Sequence, residues 1–209
     1  QGVALGLCLP KTACLRLEKF AGRFNLVFTG NFSPAQSLDT VIEAACIARD
    51  KGADDLHLLL VGDGMSRPAL EELVHRRGAE DLVTFWGSVA PTEIPAFCAV
   101  ADGLVCPLAD SPDLGMTVPA KLASYMASGK PVLASITGEG AKAVEQADCG
   151  FASSASDAQA LAENILALRA LPAEDRQRLG RNAFAWYQSH YQRSQLLDKL
   201  RDFVLEGRQ

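Results

Sequence analysis

The chain carries no basic excess. Its 20 Lys and Arg stand against 25 Asp and Glu, for a formal net charge of -5, which excludes the positive surface that nucleic-acid binding demands. No apolar run approaches the roughly 20 residues that cross a bilayer, and the mildly apolar opening has no leading positive charge of the secretory kind. A cytoplasmic protein is expected. The 6 cysteines, Cys8, Cys14, Cys46, Cys98, Cys106 and Cys149, form no C-x-x-C pair and mostly fall inside apolar patterns, so they read as buried thiols. The 3 histidines, His57, His75 and His190, are scattered without partners at metal-ligand spacing; no protein-built metal site is expected, and each is read as structural or surface. No Ser-His-Asp or Cys-His arrangement can be assembled, and the acids Asp110, Asp113 and Glu139 are candidates only because they fall in loops. There is neither an internal repeat nor a low-complexity segment. Gln1 is not an initiator, so the 209 residues are expected to be a piece of a longer polypeptide. That length can bury a substantial core, as one large domain or two small ones.

What is present is a regular alternation. Residues 1–23 show no clear periodicity and are expected to be a linker or a remnant of an upstream domain; residues 24–209 carry the pattern. Asn25–Thr29, Leu56–Val61, Val83–Trp86, Gly103–Leu108 and Pro131–Ser135 are short apolar runs of the kind that form strands buried on both faces, with a further extended piece near Gly150. Between them Leu38, Val41, Ile42, Ala45 and Cys46 mark a helix face, and further helices are expected from Ser66 to Arg77, from Glu93 to Val100 and from Ala141 to Gln146. Ser156 to Gln159 reads as a capping box opening a helix that runs to Ala170. Two more helical segments should close the chain, with Phe184, Trp186, Tyr187 and Tyr191 as packing residues. This order predicts an α/β fold: a Rossmann-like parallel sheet sandwiched by helices, with helices at the C-terminal end.

The stretch from Pro107 to Ser135 organises the candidate site. A Gly/Pro/Asp/Ser-rich loop leads to a helix opening near Val118 and Pro119, where proline suits the first turn. Leu122, Tyr125 and Met126 fall on one face, expected to be buried, while Lys121, Ser124 and Ser128 share another, expected to be free to bind. A helix N-terminus beside a parallel strand end favours a phosphate. Glycine turns follow the other strands: Gly30-Asn31, Gly62-Asp63-Gly64 and Gly87-Ser88-Val89. The second resembles part of a dinucleotide fingerprint, but Arg67 stands where the third glycine belongs, and Glu80-Asp81 precede the next strand instead of ending it. Together these turns point to a phosphate-bearing ligand.

Five segments in order, FTGNFSPAQSLDTVIEAA, LLLVGDGMSRPALEEL, VTFWGSVAPTEIPAFCAVADGLVCPL, VPAKLASYMASGKPVLAS and GEGAKAVEQADCGF, resemble the C-terminal, donor-binding domain of GT-B-fold glycosyltransferases, in particular the retaining enzymes of family 4. The resemblance runs from Asn25 to the end. The first and fourth segments look most like the subset that builds bacterial surface polysaccharides. It implies the C-terminal half of a two-domain enzyme whose N-terminal acceptor domain is missing here. Residues 24–209 would bind a nucleotide-diphosphate sugar, with the base near Gly87, Ser88 and Val89, the diphosphate near Pro119 and the ribose near Ser124. Gly30, Asn31, Gly62, Gly64, Arg67, Lys121 and Leu122 would line the rest. No metal or other cofactor is implied, since cationic side chains and the helix end would stabilise the departing diphosphate. The acceptor would be lipid-linked or a saccharide, which leaves room for peripheral association of the full enzyme with the inner face of a membrane.

The departures are specific. Where many members have an arginine after the first strand's glycine and a lysine five residues on, this chain has Asn31 and Gln36. The family's paired glutamates map to Met116 and Ser124. A lost charged hydrogen bond costs about 1.5–3 kcal/mol where nothing replaces it. Lys121 remains as the cation, with Arg67 second. Two alternatives stand beside a transferase: a degenerate domain serving as a non-catalytic interaction module, and a nucleotide-sugar epimerase.

Overall fold

Strand β1 (Phe24–Thr29) is buried along its whole length, because every second side chain meets a different helical layer. In the computed structural model, which describes residues 20–192 together with 197 and 201, β1 is followed by α1 (Leu38–Asp50), β2 (Leu56–Val61), α2 (Arg67–Arg76), β3 (Val83–Gly87) and α3 (Ile94–Ala99). Then come β4 (Gly103–Pro107), α4 (Pro112–Gly115), α5 (Ala120–Ala127), β5 (Val132–Ser135), α6 (Glu139–Gln146), β6 (Gly150–Ser153), α7 (Ala158–Ala170) and α8 (Ala173–His190). The strands form a single parallel sheet in the order β3-β2-β1-β4-β5-β6. This is the expected Rossmann-like sandwich.

Alternation along the strands feeds two cores. Leu26, Phe28, Leu58, Leu60, Val105 and Leu133 face α1, α2 and α7, while Val27, Leu59, Val61, Leu104, Val132 and Ala134 face α3, α5, α6 and α8. Each such leucine or valine withdrawn from water contributes about 1.5–3 kcal/mol, which is what holds helices of modest propensity against the sheet. The helix faces marked in the sequence are the buried ones: Leu38, Val41, Ile42, Ala45 and Cys46 in α1, and Leu122, Tyr125 and Met126 in α5. Among the described residues, no helix is long and apolar enough to cross a membrane.

Several expectations are corrected locally. The loop after β4 contains the short helix α4, and Pro119 caps α5 from outside it, in extended conformation (φ -61°, ψ 133°), instead of sitting in its first turn. α6 begins at Glu139, two residues before the expected Ala141. The cap of α7 is Asp157, whose carboxylate accepts the Ala160 N–H at 2.9 Å; Ser156 has φ 59° and bonds elsewhere. Of the helical segments expected near the end, α8 is one; the other falls mostly outside the described residues, with Leu197 and Arg201 helical.

Of residues 1–23, the first nineteen, with Cys8 and Cys14, lie outside the described ones; Phe20 is buried and stacks on His57 at 4.5 Å. Cys46, Cys98, Cys106 and Cys149 are free, buried thiols. His57 is buried between Asn25 Oδ1 (3.1 Å) and Thr84 Oγ1 (2.9 Å), whereas His75 and His190 lie on the surface. Trp186, Tyr187 and Tyr191 pack against the second core, whereas Phe184, expected to pack with them, is exposed.

α8 approaches the turn after α5 so closely that a Cβ on Gly180 would stand 2.2 Å from the Gly129 carbonyl oxygen. Gly180→Ala should therefore lower stability by about 1–3 kcal/mol, the cost of overpacking a rigid contact. An unchanged thermal unfolding midpoint would show that the two helices can part without loss.

Candidate functional site

The sheet's strand order reverses between β1 and β4, and in open parallel sheets a crevice opens at the C-terminal edge of such a point. The β1–β2 ladder runs through Thr29 and Val61, but the β1–β4 register covers only Leu26↔Gly103 and Val27↔Leu104. Beyond Val27 the strands part, and the backbone of Thr29 must find another partner. Tyr125 supplies it. Its buried hydroxyl accepts the Thr29 N–H at 2.8 Å and reaches the Thr29 carbonyl at 3.3 Å, tying α5 to the end of β1. Burial pushes the Tyr125 phenol well above its usual range, so it serves as a neutral clamp.

Lys121 lies in that crevice. Its ammonium stands 3.7 Å from the centre of the Phe28 ring, donates to Gln36 Oε1 and passes 3.1 Å from where a Cβ on Gly30 would be. Loss of hydration pushes its pKa down to about 8, against a weak opposing effect of Cys106, itself pushed up to about 11 by burial. Among the described residues no carboxylate lies within ion-pairing distance of this ammonium. A cation taken out of water beside a ring and one neutral oxygen is costly, and an anion would offset that cost.

The glycine loops close over one another. A Cβ on Gly62 would stand 1.8 Å from the Gly30 carbonyl oxygen, and one on Gly64 would stand 2.4 Å from Asn31 Oδ1. The Gly62 N–H donates to the Gly87 carbonyl at 2.9 Å, and the Phe32 N–H to that of Asp63 at 2.9 Å. Gly30, Asn31, Gly62, Gly64 and Gly87 thus form one continuous rim above β1, β2 and β3. Arg67 Nη1 comes 4.0 Å from the Cβ position of Gly87, but its guanidinium is held by Asp63 (3.1 Å) and Glu71 (2.7 Å), so its charge is already committed. Ser88 is exposed on this rim, and Val89 leans back into the second core.

On α5 the structure divides the expected residues. Pro119 brings no side-chain cap, and by helix geometry the Ala120 and Lys121 amides have no intrahelical acceptor. Leu122 must be withdrawn from the set: its side chain is fully buried and its N–H is taken by the Pro119 carbonyl at 2.9 Å. The face expected to be free is not uniform either. Ser124 is exposed, with its hydroxyl turned onto Ala120 O at 3.4 Å; Ser128 donates to Tyr125 O at 2.6 Å; and Lys121 reaches back into the crevice. Met116 and Val118 stand exposed beside the α5 N-terminus, and among the described residues no three His, Cys, Asp or Glu gather to hold a metal ion. Phe28, Tyr125 and Gln36 as partners of the site escaped sequence reasoning. The first two read as core, and Gln36 was legible only as a missing cation.

The model of the family described as glycosyl transferases group 1 matches residues 23–170. A GDP-mannose-dependent alpha-(1-6)-phosphatidylinositol monomannoside mannosyltransferase of Mycobacterium tuberculosis is 28% identical over 188 residues, covering 87% of this chain and 47% of its own length. The chain therefore spans about half the length of the curated relatives it matches over most of its residues. Among solved structures, HepE of Anabaena in complex with UDP superposes with a TM-score of 0.79 at 20% identity, covering 95% of this chain and 54% of that one. Sucrose-phosphate synthase of Thermosynechococcus elongatus superposes with a TM-score of 0.78 at 24% identity, over 94% and 48% respectively.

Proposed function

Because the chain belongs to the group 1 glycosyl transferases, we propose that it is the donor-binding domain of such an enzyme and holds a nucleotide-diphosphate sugar at the β1/β4 crevice. One observation carries this: the Lys121 ammonium, withdrawn from water at the sheet's switch point with no carboxylate partner among the described residues. The diphosphate would lie against Lys121 and the first amides of α5, the base along Gly87–Val89, and the ribose within reach of the Ser124 hydroxyl. Cation and helix end would stabilise the charge on the departing diphosphate without a metal. With an acceptor domain supplied elsewhere in the polypeptide, the enzyme would pass the sugar to a lipid-linked or saccharide acceptor. The 209 residues alone should bind donor without transferring it, since transfer requires both reactants held together.

The relatives support a nucleotide sugar without agreeing on the base, one being named for GDP-mannose and another solved with UDP. Titration of UDP, GDP, TDP and CDP into the chain, followed by backbone amide shifts, decides the point. Saturable shifts confined to the surroundings of Gly87, Lys121 and Ser124 with one nucleotide are expected. A folded chain that stays silent to all four would remove the donor-site reading and leave the interaction-module alternative.

A further inference from the structure

The partner that Lys121 has chosen is informative. Lysine only donates, so the oxygen of the Gln36 amide must face the ammonium, and its NH2 group is turned elsewhere. Among the described residues that NH2 meets no acceptor. Gln36 is also held from both sides. It ends the 3-10 turn Pro34–Gln36, with its N–H on Ser33 O at 2.9 Å, and Ser37 follows in left-handed conformation (φ 42°). The neighbouring Ala35 carbonyl accepts the Ala109 N–H at 3.0 Å, which pins this loop to the one after β4 across the crevice. A neutral acceptor carried on a well-bonded stretch of backbone thus meets a long flexible cation, 85 residues apart in the chain, directly beside the Gly30 rim.

We propose that Gln36 is a positioning residue of the donor site: its oxygen holds the Lys121 ammonium over Phe28 without neutralising it, and its NH2 group adds a second donor for the same diphosphate. This rests on the donor-site reading above. A carboxylate at this place would hold the lysine equally well and cancel the charge that binds the ligand. A neutral amide keeps the full charge for the ligand and contributes N–H groups of its own. Because the two side-chain tips touch, the positive charge can be delivered to this point from either residue.

The test uses inorganic pyrophosphate, which probes the diphosphate subsite without a base, together with the nucleotide selected by the titration. Gln36→Glu keeps the shape and should raise the Lys121 titration midpoint, read from isotope-labelled lysine side chains, while weakening pyrophosphate at least tenfold. Lys121→Gln alone should lose pyrophosphate binding, and the exchange Gln36→Lys with Lys121→Gln should recover it to within a few-fold of the original. A merely structural amide would leave affinity untouched in Gln36→Glu and give no recovery in the exchange; either result overturns the proposal. If the original chain binds nucleotide and pyrophosphate while the variants behave as structural, this inference fails and the donor-site reading stands. If the original chain binds none of these ligands, both fall together.

Discussion

Lys121→Met should weaken nucleotide binding by about one to two orders of magnitude and leave the chain at least as stable as before. The two effects have opposite sign because one group causes both. Charged hydrogen bonds from it to a diphosphate would be worth about 1.5–3 kcal/mol, or about 10- to 150-fold in Kd. The same ammonium has lost hydration without gaining a counter-ion among the described residues, and methionine fills a comparable volume with no charge to desolvate. The gain in stability should be about 1–3 kcal/mol at neutral pH, the upper end being reached only without solvent screening.

The pH dependence separates this from ordinary repacking. The folded-state pKa of about 8 lies below the ordinary lysine value of 10.5, so the unfolded chain binds more protons between them. The penalty is full below about 8 and fades as pH rises towards 10.5; in that window the original chain should gain stability that Lys121→Met already has. Nucleotide affinity should fall over the same rise, because the ligand needs the charged form and binding there takes up a proton. Calorimetric titration and thermal unfolding across this range test both halves. A methionine variant with unchanged Kd, or one that loses binding and stability together, would show that Lys121 is structural.

Gly62→Ala should be among the most damaging single methyl groups in the molecule. Gly62 has φ 138°, and its added Cβ would stand 1.8 Å from the Gly30 carbonyl oxygen and 2.9 Å from its carbon. Neither backbone is free to yield. The Gly30 N–H is bonded to Val61 O and the Gly62 N–H to Gly87 O, each at 2.9 Å, so relief would break the rim over three strands. Strain and overpacking together should cost about 2–5 kcal/mol, lowering the unfolding midpoint by about 2–4 °C for each kcal/mol. Nucleotide binding should go with it, since Gly30 borders Lys121. Gly52→Ala is the matched comparison: φ is 97°, with nothing within 4 Å of the added atom, so it bears the conformational cost without the collision. A midpoint drop in Gly62→Ala no larger than in Gly52→Ala would mean that the loops are not rigidly joined.

These two positions show unequally what a linear reading reaches. Gly62 stood out as a turn glycine after an apolar strand, although the atom that makes it obligatory belongs to Gly30 on another loop. Leu122 is legible as core by its spacing with Tyr125 and Met126, and that periodicity already sets it apart from the binding residues. The helix at Pro112–Gly115 is a single turn, too short for any period to register. At the start of α7, Ser156 and Asp157 are both capable caps, and only the backbone angle of Ser156 excludes it.

The strands, the longer helices, their order and their buried faces could be read from the chain because each rests on neighbours a few residues apart and on the transfer of apolar side chains out of water. The crevice could not. It depends on where β1 and β4 part, on a tyrosine hydroxyl meeting Thr29 across 96 residues, and on a lysine bending away from the serines that share its helical spacing to meet Gln36. Periodicity assigns a residue to a face, but the path of a long, flexible side chain and the partner of a stranded N–H are set by atoms that only folding brings together.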